Sequence, residues 1–445
     1  LEAGGYWSER DFEGAERTAL RSLYRGGGAS ATDDQGVSLI AGACLGGGTV
    51  VNYTTSFRTP DDVLEEWQAL GFPSAELGAS LDAVCERLGV NTDHNRPSRR
   101  DEAMARGLAT LGWHVDAMPR DVIGCEQGVV CGACGYGCPL GAKQSTLRTW
   151  LEDAAGAGVR IVVGAKARRI LVAHGRAAGV DAGLVQVRSR AVVAAAGAIE
   201  TPALLLRSGL RNPNVGRWLR LHPATAVFGS FDEEIRPWEG TLQALYSDRF
   251  RFLDGGYGAK LETVPLHPGL LAAALPWESA AAHAALMAGL PRLSLIAVIL
   301  RDAGAGRVRI GRDGEAIATY RLADGDRRRL AAGIDGAARV LAAAGAGEIF
   351  TAHARLQRWR DGFAPAAFRF GPGRGTLYSF HLLGSARMGG SAAASAASST
   401  GETWDVRNLV VADGSAFPTA SGVNPMITIE AIAHQNATRL AERLA

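Results

Sequence analysis

The chain has 445 residues, of which 47% are hydrophobic, and its 47 basic residues nearly cancel its 45 acidic residues. This composition supports a large buried core and excludes a disordered chain. Because the charges balance and no block of like charge occurs, nucleic acid is a poor partner. No apolar run reaches the roughly 18 residues that a membrane-spanning helix needs, so we expect no such helix.

The chain opens on Leu1-Glu2-Ala3-Gly4-Gly5, without an initiator Met. Dinucleotide-binding proteins of the common type need a strand, a G-x-G-x-x-G turn and a helix, and the sequence contains no such unit. We therefore expect a fragment without its first strand and helix, and a true loss of cofactor binding is the alternative. A missing start also hides any signal peptide, so the localisation is unknown, with the cytoplasm favoured.

Helix signals dominate the next part of the chain. Thr59-Pro60-Asp61-Asp62 has the residues of a helix start, two short helical patterns follow between 74 and 115, and 146–157 has helical spacing. Between them, a loop rich in Cys and Gly runs from Cys125 to Gly141.

Strand signals follow this loop. Residues 159–163 have the pattern of a buried strand, and 167–172 and 185–188 are strand-like runs. Residues 191–197 read as a fully buried strand that enters a Gly turn and then a helix. In an open α/β sheet, a cofactor binds at such a junction of strand, turn and helix.

These patterns predict an α/β fold with two interleaved domains. Residues 1–224 form a doubly wound, Rossmann-like cofactor domain with the Cys-rich insertion 125–141, and 405–445 return to it. Residues 225–404 form an α+β substrate domain built on an antiparallel sheet. Within that domain, the Ala-rich segment 271–290 is expected to be an ordinary packed helix, because it lacks the basic face of a membrane-surface helix.

Two polar side chains near the C-terminus carry the strongest chemical signal. His381 lies in Phe380-His381-Leu382-Leu383-Gly384-Ser385-Ala386-Arg387, and Asn424 lies at a probable helix start in Gly422-Val423-Asn424-Pro425-Met426. An imidazole and an amide can flank one substrate hydroxyl, and the pKa of His suits it to accept the hydroxyl proton.

With the loop Gly42–Asn52 and the segment Gly197–Gly209, these motifs resemble the glucose-methanol-choline (GMC) family of flavin oxidoreductases. Members of this family carry either His or Asn at the position of Asn424. The form with Asn is most similar to long-chain alcohol oxidases and cholesterol oxidases. The resemblance implies an FAD-binding domain and oxidation of an alcohol CH–OH group by hydride transfer to flavin N5. It makes His381 the base and Asn424 the residue that positions the substrate oxygen. The implied substrate is an alcohol, with long-chain and sterol-like alcohols as the candidates, and the acceptor is oxygen or a quinone.

The resemblance also assigns residues to the cofactor. Glu2 corresponds to the ligand of the adenosine ribose, Ala167 to a backbone contact with adenine, and Met426 to a backbone N–H that faces the flavin pyrimidine. The other assigned residues are Gly46, Gly47, Asn52, Asp413 and Gly414. For Asn52, a turn-stabilising role is an equal alternative. Ala43 replaces the Arg that is usual in the Gly-rich loop.

The Cys-rich loop leaves alternatives open. The spacing of Cys125, Cys131, Cys134 and Cys138 permits an iron-sulfur cluster or a structural zinc, and equally reduced thiols or a disulfide. We favour no metal, because many characterised relatives of this type are described without one. A flavin dehydrogenase with a cluster and a degenerate, metal-binding relative without activity are the alternative functions. His222, in a Leu-x-x-His-Pro run, is interpreted as structural.

Overall fold

A computed structural model of the chain describes residues 1–125, 131–351, 353, 355–359, 362, 368–375 and 377–445. The helices of this part are α1 (Glu16–Leu23), α2 (Gly48–Val51), α3 (Asp61–Ala69), α4 (Ser74–Arg87), α5 (Arg99–Leu111), α6 (Trp150–Gly156), α7 (Gly197–Arg207), α8 (Pro268–Ala274), α9 (Ala280–Ala288), α10 (Asp324–Ala343) and α11 (Met426–Leu444). The strands are β1 (Val37–Leu39), β2 (Asp116–Ala117), β3 (Arg169–Ala173), β4 (Arg176–Asp181), β5 (Gln186–Arg188), β6 (Val192–Ala194), β7 (Arg217–Leu219), β8 (Ala224–Ser230), β9 (Leu245–Asp254), β10 (Tyr257–Thr263), β11 (Leu293–Leu300), β12 (Gly306–Ile310), β13 (Ala316–Thr319), β14 (Glu348–Thr351), β15 (Gln357–Arg358), β16 (Leu377–Ser379) and β17 (Leu409–Val411).

The larger core is built on a mainly antiparallel sheet in the order β1-β16-β8-β11-β10-β9-β2, with β14 and β15 attached through β8. One face of this sheet is covered by α10 and α5. Leu330, Ile334 and Leu341 lie at helical spacing on the buried side of α10. Side chains alternate along a strand. The residues of β10 and β11 that lie between those packed in this core therefore point to the opposite face of the sheet.

The opposite face carries the hairpin of α8 and α9, which packs over Phe228, Leu295 and Ala297. No residue of α9 is buried, although the helix sequence is almost entirely apolar. Trp277, at the turn of the hairpin, is 70% exposed. The prediction of an ordinary packed helix is therefore wrong for α9, because only α8 and the hairpin ends reach the sheet.

The second core contains the parallel pair β6 and β17, with α7 directly after β6 and α11 after β17. The pairing of 192–194 with 409–411 places the C-terminal segment beside β6. Together, the antiparallel sheet of the larger core and the parallel pair with its helices confirm the predicted α/β fold class. The domain boundaries stay a prediction, and β1 and β2 from the range 1–224 join the larger sheet.

Apart from α9, the predicted helices match the structure, but two predicted buried strands do not. The helix starts at Asp61, in 74–115 and in 146–157 are confirmed by α3, α4, α5 and α6. The buried strand predicted at 159–163 is wrong, since Val159 is 56% exposed and the segment is irregular. The prediction that the strand in 191–197 is fully buried is also wrong, because Val193 on β6 is 46% exposed. An apolar run predicts a buried strand only if other elements cover both of its faces, and periodicity does not report that cover.

Among the helices of the described residues, none is long and apolar enough to span a bilayer.

Candidate active site

His381 and His222 face each other across two antiparallel segments. Arg220 and Leu383 exchange both backbone hydrogen bonds, each 2.9 Å long, and this register sets residue 222 opposite residue 381. The two Nδ1 atoms lie 3.2 Å apart, and the rings are perpendicular. His222 is therefore a direct partner of His381, a role that the sequence did not indicate.

The backbone of His222 is held in an unusual conformation. Its φ is +41°, which L-residues other than Gly rarely adopt. Asp302 clamps the turn, because its carboxylate accepts the N–H groups of Leu221 (3.0 Å) and His222 (3.1 Å). The Tyr320 hydroxyl donates to the same carboxylate at 3.0 Å. Burial raises the pKa of Asp302 to about 6, although the Arg220 guanidinium opposes the shift.

The C-terminal turn brings Asn424 to the same place. The Gly422 N–H donates to Nε2 of His222 at 3.1 Å. Asn424 lies two residues before α11, in agreement with the predicted helix start. Its Nδ2 donates to Oε2 of Glu262 at 3.3 Å. Its Oδ1 is buried and has no hydrogen-bond partner within the described residues, so it is available to a hydroxyl group.

Glu262 and Lys260, both on β10, were not singled out from the sequence. Gln243 donates to Oε2 of Glu262 at 2.8 Å, while Oε1 is buried and lacks a partner in the described part of the chain. The Lys260 ammonium lies 3.2 Å from the ring centroid of Phe57. Burial raises the pKa of Glu262, and Lys260 opposes this shift. The sequence signal that could have identified them is a pair of charged residues, two positions apart, in a mostly apolar strand.

Burial also controls the charge of the two imidazoles. It lowers the pKa of His381 to about 4, and the positive charge of Lys260 lowers it further. Burial lowers the pKa of His222 as well, with His381, Arg301 and Lys260 as smaller causes. Both rings are therefore neutral at pH 7.

Two of the predicted flavin residues contact each other. Nδ2 of Asn52 lies 2.7 Å from Sδ of Met426, the first residue of α11. Oδ1 of Asn52 accepts the Thr54 N–H at 3.2 Å, which agrees with the turn-stabilising role, while its contact with flavin stays a prediction. The buried Lys143 supports this loop by donating to the carbonyls of Val50 (2.6 Å) and Asn52 (2.9 Å).

Asp413 joins the carboxyl ends of β6 and β17. Its Oδ2 accepts the Gly197 N–H (2.8 Å) and the Thr201 hydroxyl (2.5 Å). Its Oδ1 accepts the N–H and the hydroxyl of Ser415. Because these hydrogen bonds occupy both oxygens, the Asp413 side chain holds the junction of β6 and β17 together. A cofactor at this junction would therefore contact backbone groups and not the carboxylate.

The predicted adenosine residues lie along one edge of the second core. The Glu2 N–H donates to the Val162 carbonyl and the Ala165 N–H donates to the Glu2 carbonyl, both at 2.8 Å, which sets Glu2 beside the segment that leads to Ala167. A Cβ at Gly47 or Gly197 would meet nothing within 4 Å. These glycines border open space with their backbone, as a cradle for a dinucleotide requires. Gly46, next to Gly47, has φ +89°.

Comparison with known proteins identifies the family. The family model described as GMC oxidoreductase matches residues 20–224 with its N-terminal part and 304–433 with its C-terminal part. A GMC-type oxidoreductase of Mycobacterium tuberculosis is 34% identical over 97% of this chain and 70% of its own length. This chain belongs to the GMC oxidoreductase family.

Two further comparisons define its relation to other GMC proteins. Long-chain-alcohol oxidase FAO4B of Arabidopsis thaliana is 34% identical over 100% of this chain, and the chain spans 64% of the length of that relative. Pyridoxine 4-oxidase of Mesorbium loti has a TM-score of 0.74 at 16% identity, with 99% of this chain and 93% of that chain covered. At this identity, the likeness to pyridoxine 4-oxidase concerns the fold alone.

The Cys-rich loop of this GMC chain gives the metal alternatives no support. No group of three or more potential metal ligands converges among the residues that the structure describes, and 126–130 of the loop lie outside them. A hydrogen bond from Cys131 and the charge of Arg120 lower the pKa of Cys125 to about 6. The Cys134 carbonyl accepts from Lys143 at 2.8 Å, so the loop braces the segment that carries Asn52.

Proposed function

We propose that this chain binds FAD and oxidises the CH–OH group of an alcohol to an aldehyde or ketone. The observation that carries the proposal is the pair of neutral histidines, the buried His222 and the partly exposed His381, beside Asn424, whose Oδ1 is buried without a partner in the described residues. Family membership and the names of the alcohol oxidase relatives support it. When bound, the flavin supplies the acceptor for the hydride and its two electrons.

In this proposal, His381 and Asn424 bind the substrate oxygen from two sides. Loss of hydride from the carbinol carbon makes the hydroxyl group acidic, so a nearby group has to take its proton. The sequence proposed His381 for this role. Glu262 is a second candidate, because it is buried next to Asn424 and has one unpaired oxygen within the described residues.

We further propose a substrate with a long apolar chain. Glu262 pairs with Ala297 of β11, which pairs with Ala226 of β8. Directly paired residues share one face of a sheet, and both alanines belong to the apolar cluster beneath the α8–α9 hairpin. The polar site thus adjoins an apolar surface that the hairpin covers, and the proposed alkyl tail lies between this surface and the hairpin. A sterol would use the same surface.

The test is anaerobic reduction of the FAD-bound protein by primary alcohols of increasing length and by cholesterol. We expect long-chain alcohols to bleach the flavin bands, and admission of air to restore them with release of peroxide if oxygen is the acceptor. Recovery only with a quinone would identify that acceptor instead. If no alcohol reduces bound flavin, the proposed function is wrong.

His381→Ala should slow flavin reduction by roughly 100-fold or more while FAD stays bound. The exposed His174 is a matched control, since His174→Ala removes an imidazole from the turn between β3 and β4. Reduction by the His381 variant within a few-fold of the parent would exclude a role for His381 at the substrate oxygen.

A further inference from the structure

The hydrogen bonds around His222 have a fixed direction. A backbone N–H can only donate, so the Gly422 N–H requires a lone pair on Nε2 of His222. Neutral His222 then carries its proton on Nδ1. That proton lies between the two Nδ1 atoms, 3.2 Å apart, so His381 has to accept it. The proton of neutral His381 is consequently on Nε2, the nitrogen not engaged with His222.

The opposite assignment places donors against donors. If His381 carried its proton on Nδ1, His222 would have to accept it and carry its own proton on Nε2. That proton would then face the Gly422 N–H across 3.1 Å. A protonated His381 would likewise direct Nδ1–H at the Nδ1–H of His222. Both states lose a hydrogen bond to the buried ring of His222, which is unfavourable.

The surroundings prevent His222 from escaping this arrangement. Asp302 holds the N–H groups of Leu221 and His222, and the Ser379 hydroxyl donates to the Leu221 carbonyl at 2.5 Å. A non-Gly residue with φ +41° persists only where its environment enforces it, and such residues concentrate at functional sites.

We infer that His222 is a positioning residue that fixes His381 in the tautomer with its proton on Nε2, so that His381 donates a hydrogen bond to the substrate oxygen. The statement that His381 donates to a substrate oxygen rests on the proposed function. The tautomer of His381 follows from the hydrogen bonds alone. Neutral His381 then has no lone pair on Nε2 with which to act as the base. A donor aimed at the oxygen stabilises the negative charge that develops there.

The hydroxyl proton is then assigned to Glu262. In the balanced step, the carbinol C–H bond breaks and its electron pair leaves with the hydride to the flavin. The O–H bond breaks, its proton goes to the Glu262 carboxylate, and its electron pair forms the second C–O bond. Asn424, whose Nδ2 donates to Oε2 of Glu262, holds the substrate oxygen beside that carboxylate.

The first experiment is long-range proton–nitrogen correlation NMR on the FAD-bound protein labelled with 15N-histidine. The His381 and His222 signals are assigned by their loss in the variants His381→Gln and His222→Asn. We expect His381 to have a protonated Nε2 and His222 a protonated Nδ1 near pH 7. A protonated Nδ1 on His381 would overturn the inference. This measurement needs no substrate. The tautomer can therefore be wrong while the proposed function is right, and the proposed function can be wrong while the tautomer is right.

The second experiment compares His222→Asn with His222→Asp, which have nearly equal size and both tolerate positive φ. The Asn amide can donate to Nδ1 of His381 while Gly422 attracts its oxygen. The Asp carboxylate instead draws the His381 proton to Nδ1. We expect the Asp variant to reduce flavin roughly 100-fold more slowly than the Asn variant, with the tautomer change visible in its spectrum. His174→Asn is a control, because His174 also has positive φ, at +50°.

An Asp variant as active as the Asn variant, or more active, would show that His381 acts as a base and would refute the inference. If neither variant folds, the spectrum of the parent protein still decides.

Discussion

Asp302→Asn removes one oxygen from the clamp on Leu221 and His222, and its effect on stability should depend on pH. The two backbone N–H groups donate to different oxygens of Asp302. An Asn side chain can satisfy only one of them and presents an NH₂ group to the other. Loss of a buried hydrogen bond with an orphaned donor costs about 1–3 kcal/mol. This loss of stability is present at every pH.

The charge of Asp302 acts in the opposite direction. Burial raises the pKa of Asp302 from 3.8 to about 6, so the folded state binds the proton more tightly than the unfolded state does. The resulting stability is complete below pH 4 and is lost as the pH rises through 6. A difference of roughly two pKa units corresponds to about 3 kcal/mol. An Asn side chain does not titrate, so the variant lacks this pH-dependent stability. The parent protein therefore exceeds the variant in stability by the largest margin at about pH 4 and below.

Urea unfolding of the FAD-bound parent and variant, followed at pH 4.5 and at pH 7.5, measures both effects. Because the unfolded carboxyl group is already mostly ionised at pH 4.5, we expect the stability difference to shrink by about 2 kcal/mol at the higher pH. Asp405→Asn is the matched control, because the exposed Asp405 also accepts two successive N–H groups, those of Arg211 (2.6 Å) and Asn212 (2.7 Å), and does not act on the pKa of Asp302. A difference that is constant or grows with pH would refute the desolvated acid at Asp302.

Three further predictions concern the site and its surroundings. Lys260→Met should raise the pKa of His381, because the nearby positive charge is lost, and an NMR titration that shows no rise would contradict this. Cys134→Ser should leave turnover within roughly twofold of the parent, and a large loss together with a changed visible spectrum would revive the cluster alternative. Ala226→Phe should lower kcat/KM for long-chain alcohols far more than for short ones, since each buried methylene contributes about 0.8 kcal/mol; an equal loss for both would exclude the apolar surface as the tail site.

Local signals in the sequence predicted much of the fold. The strand, Gly turn and helix at 191–207 and the strand and helix after 405 are visible because each spans few residues with a clear period. The same is true of Asn424, which precedes a helix. The cofactor residues Asn52 and Met426 were assigned by resemblance, and the structure brings them into contact. Their role in binding FAD stays a prediction.

The parts that the sequence did not reveal depend on register between distant segments. His222 meets His381 only because Arg220 pairs with Leu383, and no periodicity encodes that pairing. Glu262 gains its importance from the side of β10 on which it lies, next to Asn424. The strand predicted at 159–163 failed for the same reason, since an apolar run carries no information about which elements cover it.

The connectivity of the site has a consequence for protein synthesis. His222 contacts partners 159 and 200 residues later in the chain, and Asn424 contacts Glu262 across 162 residues. Ribosomes add about 5–20 residues per second and domains form as their segments emerge. The large sheet can therefore begin to fold many seconds before the turn at Gly422 has been made. Until that turn docks, Nε2 of His222 lacks the Gly422 N–H that fixes its tautomer, so an unfinished chain cannot yet hold the site in its final arrangement.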